Sequence, residues 1–159
     1  MENLMNSISK ASQLFRDGCA CSQAILVTYA QPLGLSREMA MRISAGFAGG
    51  MRMGATCGAV TGALMVLGLR HASEKCATAA SRADVYARVV EFTKKFRQRN
   101  GSVICSELLK CDIGAPAGIK QAREQGLFRT TCVKMVESAA GILEEMGTES
   151  RDDGLHDGG

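Results

Sequence analysis

Cysteines at positions 19, 21, 57, 76, 105, 111 and 132 are the residues of this 159-residue chain best suited to chemistry. The thiolate, not the thiol, binds soft metals and attacks disulfides. The useful question is therefore which sulfurs sit where an anion is favoured. Four of them open stretches with helical character: "CSQAIL" at 21, "CGAVTGALMVLGL" at 57, "CSELL" at 105 and "CVKMVESAA" at 132. The first turn of a helix offers unpaired N–H groups and the positive end of the dipole, so a thiol placed there should lose its proton more readily. Cys21, Cys57, Cys105 and Cys132 are accordingly the candidate site, as metal ligands or as redox thiols. Cys19 in a turn, Cys76 beyond the central helix and Cys111 near a helix end are accessory.

Other site chemistries lack their residues. No CxxC occurs, which removes the usual zinc-ribbon and thioredoxin signatures. There is no CxxCH for haem attachment. The glycine-rich "AGFAGGMRMG" matches neither GxGxxG nor the phosphate-loop pattern, and no strand precedes it. His71 and His156 are the only histidines, one after a helix and one in the tail, so a Cys/His pair finds little support. The odd cysteine count and an N-terminus without a signal peptide argue against a secreted disulfide framework and for a reducing cytoplasm.

The elements that must position these thiols are helices. Hydrophobic residues make up 46% of the chain, aromatics only 4%, and two prolines leave long segments unbroken. Composition and periodicity predict an all-α, single-domain bundle of about six to seven helices around a central Gly/Ala-rich helix. Helices are expected over 3–17, ended by Gly18, then over 21–31 and from Arg37 behind a Ser36 cap. The central one covers 57–70 with Thr56 as its cap. A long amphipathic helix follows over 81–99, with Val85, Val89, Phe92 and Phe96 inward and Gly101 as its stop. A short helix over 103–110 begins behind Ser102, and the last spans 132–146. The stretch 112–129 reads as loop with one helical segment.

The domain is expected to span 1–147, and the acidic 148–159 to form a disordered tail. Gly54, Gly58 and Gly62 recur every fourth residue with alanines beside them, a smooth face on which another backbone can approach. Without some such gain, each glycine inside the helix would cost roughly 1 kcal/mol against alanine. The net charge of +3 is no nucleic-acid footprint, and "KKFRQR" at 94–99 reads as the solvated face of a helix. The longest apolar stretch, 54–69, is too short and too glycine-rich for a membrane span. Met-rich, glycine-smooth helices would also suit a homodimer.

The segments "FRDGCACSQAIL", "AGFAGGMRMGATCGAVTGALMVLGL", "GSVICSELL" and "CVKMVESAA", in that order, resemble the four-cysteine family labelled C_GCAxxG_C_C. The likeness covers roughly residues 10–142, and its most specific piece is "CGAVTG" at 57–62. It implies a small helical protein with a redox or metal-linked role, in some cases encoded beside transporter genes. The family's four cysteines fall on Cys21, Cys57, Cys105 and Cys132, the set already chosen from helix starts. In "LLKCD", Lys110 stands where such proteins often have glycine.

Three functions are compatible with these residues. A Cys₄ site could hold an iron–sulfur cluster, which would move electrons, or a transition metal such as zinc, which would be structural. A cysteine pair, Cys21 with Cys57, could cycle between dithiol and disulfide, working with a redox partner. The cysteines could instead be structural in a non-enzymatic binding module that serves a transport partner.

Overall fold

The computed structural model describes residues 2–74 and 78–152. Eight α-helices account for most of them: α1 (Glu2–Arg16), α2 (Cys21–Ala30), α3 (Arg37–Ser44), α4 (Gly58–His71), α5 (Ala79–Asn100), α6 (Cys105–Leu109), α7 (Pro116–Glu124) and α8 (Thr131–Asp152). No strand occurs among the described residues, and the single isolated bridge joins Thr56 to Ile104. The fold is all-α, as composition and periodicity predict.

Local chemistry sets most helix ends. Gly18 has φ +112°, and the Cys19 N–H reaches back to the Leu14 carbonyl at 3.0 Å, closing α1 with a glycine cap. The Ser36 hydroxyl accepts from the Met39 N–H at 3.2 Å and starts α3. Gly101, at φ +90°, stops α5. Pro116 stands in the first turn of α7, where its missing N–H is not needed, so it starts a helix inside the stretch expected to be mostly loop. The last helix runs on to Asp152 rather than ending at 146. Met146 is still buried in the core, and packing of this face carries the helix past Gly147. Residues 153–159 of the expected tail lie outside the described residues.

Helices α2 and α4 form the centre and, among the described residues, pack against each other more closely than any other pair of helices. Glycine allows it. A Cβ on Gly62 would lie 2.8 Å from the Ser22 carbonyl oxygen and 3.2 Å from the Cβ of Ile25, so the α2 backbone rests directly on α4. The cost of Gly62 inside the helix is thus offset by contact that no larger residue would permit. Around this pair pack α1, α5 and α8. Phe92 and Phe96 of α5 are fully buried, their ring centroids 6.1 Å apart, whereas Val85 and Val89 are only partly covered. Within the basic run 94–99 only Phe96 is buried. Tyr29 of α2 donates to Glu144 of α8 at 2.8 Å, and Arg70 of α4 lies over its ring at 5.2 Å while donating to the Leu143 carbonyl.

The apolar residues divide into two clusters. The main one contains Ile25, Leu26, Val60, Phe92, Val136 and Leu143 and takes in Cys57, with Cys19 and Cys21 packed against it. A smaller one joins Cys105, Leu109, Cys111, Ile113 and Ala122, with Phe128 and Cys132 packed against it. No described helix is long and apolar enough to cross a membrane.

Candidate functional site

Cys21, Cys57, Cys105 and Cys132 line one cavity of about 180 Å³ at the seam between the two clusters. Each cysteine stands at the start of a different helix. Cys21 and Cys105 are the first residues of α2 and α6, Cys132 is the second of α8, and Cys57 is the cap residue of α4. Cys57 and Cys105 are buried; Cys21 and Cys132 are half-buried. The rest of the wall is mostly apolar, with Phe15, Leu108, Ile113, Ile119, Phe128 and Met135 among its residues.

Two local devices bring the sulfurs together. The first is the bridge between Thr56 and Ile104. The Cys57 N–H donates to the Val103 carbonyl at 2.8 Å, and the Cys105 N–H donates to the Ala55 carbonyl at 2.6 Å. Each cysteine follows a bridge residue directly, so alternation along extended backbone turns both to the same side. Thr56 is thus a bridge residue, and Cys57 itself occupies the cap position expected of Thr56. Ser102 does not cap α6 directly; it accepts from the Ile104 N–H at 3.0 Å and bonds the Glu107 carboxylate.

The second device is the absence of side chains. A Cβ on Gly58 would collide with the sulfur of Cys21 and would lie 3.2 Å from the Ser22 nitrogen. Gly58 therefore makes room for the Cys21 thiol one residue from Cys57. Gly54 serves differently from its expected place in a helical stripe. It lies before α4 at φ +68°, and its missing Cβ admits the Ser106 hydroxyl.

Between α3 and α4 the chain makes a left-handed turn. Gly49, Gly50, Met51 and Arg52 have φ of +63°, +61°, +59° and +61°. The Ala55 N–H then closes onto the Gly50 carbonyl at 3.1 Å. Left-handed backbone costs roughly 1–2 kcal/mol for each residue carrying a side chain, and Met51 and Arg52 both incur it. Ala48, Gly49 and Arg52 of this segment line the cavity, and backbone amides of Gly49, Ser22 and Gly58 address the Cys21 sulfur.

Burial dominates the electrostatics. The Cys105 thiol is pushed up to about 11 and Cys132 to about 12, by desolvation first and then by repulsion from Cys21 and, for Cys132, from Cys105. Cys57 is raised further, by burial and by Cys21 and Cys105. Cys21 is raised as well, by burial, although the backbone amides oppose it. All four sulfurs stand at helix starts, as expected, but their pKa values are raised rather than lowered. In a cavity this apolar, removing water from a thiolate outweighs a few N–H dipoles.

The remaining cysteines stand apart. Cys111 is buried in the smaller cluster and does not line the cavity. Cys19 lies in a separate outer cleft beyond Phe15 and Phe128, which border both spaces. Cys76 and His156 fall outside the described residues. His71 at the end of α4 faces Asp84 at 3.9 Å and is absent from the cavity wall. Arg52 is the functional candidate that residue spacing did not single out. Among the described residues it is the only charged side chain on the wall, and the sole hint is an arginine within a glycine-rich turn beside the CGAxxG segment.

The donor set is four thiols, with no imidazole or carboxylate on the wall among the described residues, which is the soft chemistry of iron–sulfur, zinc or copper(I) sites. Among the described residues no three metal-ligating side chains converge closely enough to hold one ion. The sulfurs surround a space rather than a point.

A family profile described as "Putative redox-active protein (C_GCAxxG_C_C)" matches residues 19–146, a span that takes in all four cavity cysteines. No curated protein and no solved structure matches the chain.

Proposed function

The chain belongs to the C_GCAxxG_C_C family, and we propose that its redox activity resides in a multinuclear metal centre, an iron–sulfur cluster, held by Cys21, Cys57, Cys105 and Cys132. One observation carries this reading: four thiols from four helix starts line the same cavity. A single zinc ion bonds thiolates at about 2.3 Å and needs its ligands gathered around one point. Sulfurs distributed around a space suit a cluster with several metal atoms, each reached by one cysteine. Such a centre would supply one-electron transfer; the chain supplies four ligands and an apolar wall that excludes water. Thiols kept neutral until a cation arrives would release protons as they bind, so loading would strengthen with rising pH.

A disulfide mechanism needs an exposed thiol of low pKa, and burial moves all four the other way. One observation favours it nonetheless. The Cys21 sulfur occupies the space left by Gly58, the residue that follows Cys57. A Cys21–Cys57 dithiol is the second reading.

Anaerobic purification followed by iron, sulfide and visible-absorption analysis separates the two. Iron with acid-labile sulfide, lost in Cys57→Ser and retained in Cys19→Ser and Cys111→Ser, is the expected result. Protein that stays metal-free after iron–sulfide reconstitution, and loses two thiols on mild oxidation, would establish the disulfide reading instead.

A further inference from the structure

The left-handed turn over 49–52 is the most strained feature among the described residues, and it borders the four-thiol cavity. Non-glycine residues in this conformation persist only where surrounding structure holds them, and such outliers concentrate at functional sites. A surface loop connecting α3 to α4 could have placed glycine at all four positions at no steric cost. Two positions carry long side chains instead.

Their surroundings differ. Met51 does not line the cavity, whereas Arg52 does. The Arg52 stem folds back across Gly49: a Cβ built on Gly49 would lie 3.8 Å from Arg52 Cδ and 3.5 Å from Ile113 Cγ2. The residue as a whole is exposed. Arg52 therefore lines the wall with its stem close to Gly49 while the residue stays exposed to water. No carboxylate lines the cavity to neutralise it, and no ion pair of Arg52 is present among the described residues.

We infer that Arg52 is the anion-admitting residue of the cavity mouth, and that the strained turn is retained because it holds this charge there. The ligand class is a small anion bound for the thiols or for the centre they hold. A cation beside an apolar opening raises the local concentration of anions and orients them on entry. It does little for neutral molecules of the same size. The inference rests on the cavity being the reactive site, but not on which centre occupies it.

The test uses metal-free, reduced protein and two probes of like size and mechanism, iodoacetate (anionic) and iodoacetamide (neutral). Alkylation of Cys105 and Cys132 is followed by peptide mass. The ratio of the two rates cancels thiol acidity and accessibility and reports charge at the mouth. Arg52→Gln should lower the iodoacetate-to-iodoacetamide ratio about threefold to tenfold, the range expected for one partly screened charge. Arg52→Lys should preserve most of the ratio, and added salt should shrink the wild-type ratio toward that of Arg52→Gln.

Two glycine variants separate charge placement from strain. Met51→Gly and Arg52→Gly should both raise the melting temperature, because each relieves a left-handed residue. Only Arg52→Gly should lower the ratio. An unchanged ratio in Arg52→Gln, or an equal fall in Met51→Gly, would overturn the inference. Iron and sulfide content decides the cluster reading separately, since alkylation of metal-free protein does not depend on it.

Discussion

The two halves of the cavity are built in opposite ways. Cys21 and Cys57 belong to the main core and are fixed by backbone resting on backbone, with Gly58 and Gly62 leaving no slack between α2 and α4. Cys105 and Cys132 belong to the smaller cluster, and Cys105 stands on a five-residue helix tied to the rest by the Thr56–Ile104 bridge. A helix that short has little stability of its own. The contrast implies a rigid inner pair that sets the location of the site and, at Cys105, an outer thiol able to adjust as a ligand enters. A centre bonded to all four would pin the smaller cluster to the main core.

The largest expected effect comes from breaking the inner half. Gly58→Leu puts a branched side chain where the Cys21 sulfur, the Ser22 amide and the Phe47 carbonyl already stand. Overpacking against backbone cannot be relieved by rotamer changes, so a loss of more than about 3 kcal/mol or outright failure to fold is expected. Urea unfolding of the metal-free protein measures it. A near-wild-type midpoint, with Cys21 still protected from alkylation, would refute the rigid-inner-pair picture.

Much of this geometry was legible in the sequence because it is local. Gly18, Ser36 and Gly101 end or start helices through bonds to residues within a few positions, and those signals read correctly. The CGAxxG glycines announced close helix contact, and the four cysteines at helix starts line one cavity. What stayed hidden depends on the assembled fold. Nothing in the types of Met51 and Arg52 announces left-handed backbone, since propensity assigns that role to glycine. A bridge of one residue pair is too short to leave a period-two pattern, so Thr56 read as a cap. The acidity of the thiols was misjudged because burial is a property of the closed cavity, not of the helix that carries each cysteine.

A middle-sized effect reports on the outer half. Unfolded thiols titrate near 9.0, whereas folded Cys105 and Cys132 are held at about 11 and about 12. Above pH 9 the unfolded chain releases protons that the folded chain keeps, so stability falls as pH rises. The contribution of these thiols is complete below about 9 and is lost progressively as pH passes through 11 to 12. Cys57, raised beyond that range, sustains the decline at still higher pH. Urea midpoints of reduced, metal-free protein between neutral and alkaline pH should show this limb, and Cys105→Ala should make it shallower. An unchanged slope in Cys105→Ala would mean that its thiol is not held neutral by the cavity.

The smallest effect sharpens the comparison by tightening the outer half. Lys110 ends α6 in left-handed backbone, φ +53° and ψ +33°, and its N–H bonds the Ser106 carbonyl. The geometry favours glycine at this place, because only the missing Cβ makes the turn free of strain. Lys110 is exposed, so replacing it removes no buried contact. Lys110→Gly should therefore stabilise the protein by up to about 1 kcal/mol, the left-handed penalty less the extra entropy glycine brings to the unfolded chain. Slower hydrogen exchange at the Cys111 N–H, which bonds the Ser106 carbonyl at 3.3 Å, should accompany the gain. If stability falls instead, the turn after α6 is held by its lysine rather than endured by it, and the outer half is less adjustable than its short helix implies.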